Sequence, residues 1–140
     1  ELPITGGWGY TKDDAVIIDK NDPVVPKGVP FYGVGIEYIF VEKRIYEELI
    51  IFRLLGEPYA GIRWELIEQR LESHDGRDYD VLNYEVTAFS EPDWNELKDE
   101  WESNNYFNDS LEGFQAHQEK RESKMISYKT EYWFDITSFF

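Results

Sequence analysis

Carboxylates dominate the chemistry this chain could do. Glu37, Glu47 and Glu48 lie among apolar neighbours, where burial would raise a carboxyl pKa towards that of a general acid. Two carboxylates of unequal pKa suffice for glycosidase-type hydrolysis. With 29 acidic residues in 140, however, such juxtapositions also arise by chance. The chain has no G-x-S-x-G elbow, phosphate loop or H-E-x-x-H pair, and Gly33-Val34-Gly35 is only a fragment of G-x-G-x-x-G. The pattern favours a non-catalytic role, with a small hydrolase using paired carboxylates on a sugar or nucleotide as the alternative.

Metal and cofactor chemistry find little support. His74 and His117 are the only histidines, neither has a second ligand four residues on, and cysteine is absent. Both histidines are expected at the surface, and no cofactor is expected. Asp19-Lys20-Asn21-Asp22 opens like a calcium loop. Pro23, Val24 and Pro30 then occupy positions that need Asp or Asn, Gly and Glu, so the stretch reads as a turn.

The strongest signal is charge. Residues 65–102 hold thirteen acidic residues against Arg70, Arg77 and Lys98, a local balance of −10 within a chain of −15. Such a field repels nucleic acid and anionic membrane and attracts a basic partner. The expected function is a small acidic binding protein masking a basic protein, as an immunity or antitoxin-type inhibitor masks a nuclease toxin. Asp75, Asp78, Asp80, Asp93, Glu96, Asp99, Glu100 and Glu102 would steer the encounter, and Trp94 and Trp101 would anchor the contact. A second platform is conceivable at Gly6-Gly7-Trp8-Gly9-Tyr10. A glycine-flanked Trp ordinarily plugs the core edge, which is the expectation for Trp8; an exposed Trp8–Tyr10 loop would instead suit a sugar or peptide.

Several elements must position these groups. Ala15–Ile18 reads as a buried strand, and the prolines and glycines of 22–35 as irregular chain. Residues 36–41 read as a strand by their β-branched and aromatic content, and 43–54 as a helix ended by Gly56 and Pro58. The alternative is one helix, because Val34, Tyr38, Val41, Ile45, Leu49 and Phe52 recur at helical steps. Asp75-Gly76 between two extended segments predicts a hairpin. Ser90 as cap, Pro92 in the first turn and Trp94, Leu97 and Trp101 on one face predict a helix over 92–102. A second helix is expected over 110–122 with Leu111, Phe114 and Gln118 on one face. Strict alternation of Ile126, Tyr128, Thr130, Tyr132, Phe134 and Ile136 predicts a long strand over 124–137.

The expectation is an α+β fold in a single domain over 1–140: a mainly antiparallel sheet with a central hairpin and a long C-terminal strand, flanked by two or three helices. Aromatic residues at 17% supply the core such a charged chain needs. No run approaches the roughly 20 apolar residues of a membrane span. Lack of cysteine and of a leader-like start points to the cytoplasm. Oligomeric state is not legible.

Overall fold

The Asp75-Gly76 pair organises the sheet. Both residues have positive φ, 52° and 77°, the combination a tight primed hairpin turn requires. They join β3 (Tyr59–His74) to β4 (Arg77–Ser90). The computed structural model describes residues 1–51 and 58–140. Its remaining strands are β1 (Ile4–Gly6), β2 (Val16–Ile18) and β5 (Ile126–Asp135). Its helices are α1 (Gly33–Ile51), α2 (Glu91–Ser103) and α3 (Leu111–Lys124). The strands form one sheet in the order β1-β2-β5-β4-β3. It is mostly antiparallel, with β2 and β5 paired in parallel. The fold is α+β, with the expected hairpin and C-terminal strand. No described helix is long and apolar enough to cross a membrane.

Some local expectations need correction. Residues 36–41 are helix, not strand, because α1 begins at Gly33 and runs without interruption. The inward stripe of Glu37, Val41, Ile45, Glu48 and Leu49 has helical spacing, and packing of that stripe overrides local β propensity. Val34 and Tyr38, placed on the stripe by sequence, are outside it and exposed. The expected helix end at 52–54 and the Gly56 stop lie outside the described residues. β1 was hidden within the glycine-rich start; it pairs antiparallel with β2 through Ile4–Ile18, Thr5–Ile17 and Gly6–Val16. On α3 the buried side chain is His117, at 3% exposure, whereas Leu111 is exposed at 71%.

Contacts divide the chain into two compact units, one of residues 1–48, 65–85 and 129–140, the other of 49–64 and 86–128. In the first, Phe40 of α1 meets Tyr132 and Phe134 edge-on, at centroid distances of 6.2 and 5.4 Å. Val16, Ile18, Val41, Ile45, Tyr132 and Phe134 are all essentially inaccessible, and each such side chain contributes about 1.5–3 kcal/mol. Ser138 ties down the C-terminal turn by donating to the Ile18 carbonyl at 3.0 Å. In the second unit, Ser90 caps α2 by accepting from the Asp93 N–H, and Ser110 caps α3 by accepting from the Gly113 N–H. That satisfies helix-end donors that would otherwise lack partners.

Candidate functional site

The first unit buries two of the three flagged carboxyls. Glu37 is 1% exposed and Glu48 3%, while Glu47 sits outside, paired with Arg44 at 3.3 Å. Burial, then a hydrogen bond to Asp80 and its charge, pushes the Glu37 carboxyl up to about 9. Asp80 is itself buried and accepts from the Gln69 amide at 2.9 Å through both oxygens. Glu37 therefore keeps its proton at neutral pH and gives Asp80 a donor. Burial also raises Glu48, against the opposing hydrogen bonds of Tyr132 and Tyr10 and the charge of Arg44. Tyr132 donates to Glu48 at 2.6 Å. Neither Glu37 nor Glu48 lines the α2–α3 groove about Trp94 and Trp101 or the groove beside Phe40, Arg44 and Glu47. Among the described residues, the contacts of both are internal hydrogen bonds: Glu37 to Asp80, and Glu48 to Tyr132.

Trp8 does not plug the core, contrary to the expectation. It is 64% exposed, and the Arg44 guanidinium lies 4.9 Å from its ring centroid and 4.9 Å from that of Phe40. Beside Trp8, Gly9 at φ 90° has no room for a Cβ: one would sit 2.8 Å from Val16.

The acids of 65–102 have three distinct fates. In the first unit Asp75 is exposed in the turn, Asp78 accepts from the Ser73 hydroxyl at 2.7 Å, and Asp80 is buried with Glu37 and Gln69. Arg70 collects Glu68, Glu72 and Glu131. In the second unit α2 spends half its acids on α3. Lys120 bonds Glu96 at 2.7 Å and Glu100 at 2.8 Å, and Lys124 bonds Asp93 at 3.2 Å. These partners hold all three carboxyls below their usual range and push Lys120 up to about 12. Glu91, Asp99 and Glu102 are left exposed, with no ion pair among the described residues.

Trp94 and Trp101 point elsewhere than that acidic row. With Leu97, Lys98, His117, Gln118 and Arg121 they line a groove of about 400 Å³ between α2 and α3. Trp101 is packed by Tyr106, Phe107, Phe114 and His117 at centroid distances of 5.3–6.1 Å. His117 is held between Trp101 and Phe107, with Nδ1 3.2 Å from Glu100. Its surface expectation is thus corrected: aromatic stacking and a carboxylate partner satisfy it inside. The spacing of Trp94, Leu97 and Trp101 announced the α2 wall. The α3 wall was missed because its inward residues, His117, Gln118 and Arg121, are polar.

Comparison with known proteins returns no family whose model matches the chain, no similar curated protein and no similar solved structure.

Proposed function

We propose that this chain is a small acidic binding protein for a basic protein partner, of the immunity or antitoxin type that masks a nuclease. The supporting observation is charge left over after internal pairing. By residue count the first unit carries 18 acidic and 8 basic residues and the second 11 and 6, balances of −10 and −5. Asp75 and Asp78 in the first unit, and Asp99 and Glu102 with Glu91 in the second, supply the steering field; Asp93, Glu96 and Glu100 hold α3. Opposed fields speed encounter and set specificity. Burial of Glu37 and Glu48, at 1% and 3% exposure, supports binding over hydrolysis. The exposure of Trp8 favours, as a second reading, a stacking platform for a sugar or peptide.

The test is capture from the source organism's lysate at about 50 mM and about 300 mM salt, beside a variant carrying Asp75→Asn, Asp78→Asn, Asp99→Asn and Glu102→Gln. A basic protein retained by the native chain, and lost both at higher salt and with the variant, is the expected result. Equal recovery by the variant would overturn the proposal.

A further inference from the structure

We infer that the groove between α2 and α3 binds a small amphipathic anion, a planar apolar body bearing a carboxylate or sulfonate. The groove lies wholly within the second unit, and its volume is that of a small-molecule site. Two indoles on one face of α2, Trp94 and Trp101, form one wall, and Leu97 and His117, each 3% exposed, also line the groove. Flat apolar surfaces of this kind accept a ring system by stacking.

The charged lining selects the rest of the ligand. Lys98 and Arg121 are the only charged residues of the groove, and both are cations. Neither has an ion pair among the described residues, although acids outnumber bases 29 to 14 in this chain. On the same two helices Lys120 and Lys124 do collect carboxylates, so the lack at Lys98 and Arg121 is not for want of acids nearby. The Arg121 guanidinium lies over Phe89 and Trp94, 5.2 and 5.8 Å from their ring centroids. The two ring contacts restrain the guanidinium, and its fork of N–H donors matches a planar anion in shape and charge. A lysine or arginine from a basic partner would meet two like charges here, so this site is distinct from the acidic surface proposed above.

The probe is 2-naphthoate, with uncharged 2-naphthamide as control, followed by NMR of the five indole N–H signals. The expected result is saturable shifts of the Trp94 and Trp101 signals, with those of Trp8, Trp64 and Trp133 unmoved. Affinity should fall about tenfold for 2-naphthamide, and by a similar factor for Lys98→Gln with Arg121→Gln. Because Arg121 also packs on Trp94, Lys98→Gln alone is the second variant; Lys98 is exposed, so its loss should weaken binding about threefold with the fold intact. Failure of the Trp94 and Trp101 signals to shift, equal affinity for the amide, or native affinity in both variants would each overturn the inference.

Discussion

Glu37 and Asp80 are hydrogen-bonded inside the first unit: Glu37 from α1 meets Asp80 of β4, and its second oxygen, Oε2, has no partner. A buried carboxyl with one unsatisfied oxygen is tolerable only while neutral, since two adjacent buried carboxylates would repel in a poor dielectric. The Glu37 carboxyl ionises near pH 9 in the folded chain and near 4.5 when free. Between those values the folded state holds a proton that the unfolded state has lost. This contribution to stability is therefore complete below about pH 4.5, declines through the window and is gone above about 9. Glu37→Gln keeps a donor for Asp80 without a titratable group. The variant should be more stable than the native chain at pH 8, by roughly 1–3 kcal/mol, and the gap should shrink towards pH 5. Urea midpoints taken across that range read the effect directly, and a constant gap would rule this account out.

Glu48 depends on a different donor. Tyr132 is fully buried and its hydroxyl lies 2.6 and 3.1 Å from the two Glu48 oxygens. Tyr132→Phe leaves that carboxyl short of its nearest donor and should cost about 1.5–3 kcal/mol. Glu48→Gln in the same background removes the ionisable group, which burial disfavours in its charged form, and should recover part of the loss. A double-mutant cycle by chemical denaturation gives the coupling, and strict additivity would show that the hydroxyl and carboxyl do not act on each other.

How far these groups could be read in advance follows their physics. The Asp75-Gly76 turn and the Ser90 cap are local events, decided by backbone angles and nearby donors, and both were legible. The alternation over Tyr132, Phe134 and Ile136 was equally plain, and all three are buried. The first turns of α1 were misread because the β-branched and aromatic residues of 36–41 carry local strand propensity, which the packing of the helical stripe overrides. The possibility that burial perturbs the Glu37 and Glu48 carboxyls was legible; their partners, Asp80 and Tyr132, lie 43 and 84 residues away in sequence and were not. The acidic density of α2 was visible, whereas its neutralisation by Lys120 and Lys124 depends on how α3 packs.

Those inter-helix pairs are exposed and should behave accordingly. Lys120 serves Glu96 and Glu100 together, so Lys120→Gln leaves two carboxylates without their shared cation. The melting temperature should fall modestly at low salt, and the difference should fade as salt rises, because screening already weakens such pairs in the native chain. A deficit that persists unchanged in high salt would mean that Lys120 acts through packing of its stem instead.

Gly61 governs how Trp94 is seated. Its φ is +61°, and a Cβ there would lie 2.6 Å from the indole ring and 3.1 Å from Phe89. The indole has little freedom to retreat, since Phe89 packs on it at 5.4 Å and the Arg121 guanidinium lies 5.8 Å from its centroid. Gly61→Ala thus combines a left-handed backbone penalty with a steric clash, and should cost roughly 2–4 kcal/mol. Replacing the indole by a smaller side chain separates the two contributions. In a Trp94→Leu background the clash is relieved while the backbone penalty stays, so Gly61→Ala should cost only about 1–2 kcal/mol there. Equal costs in both backgrounds, read from denaturation midpoints, would show that the glycine is needed for its φ alone and does not seat the ring.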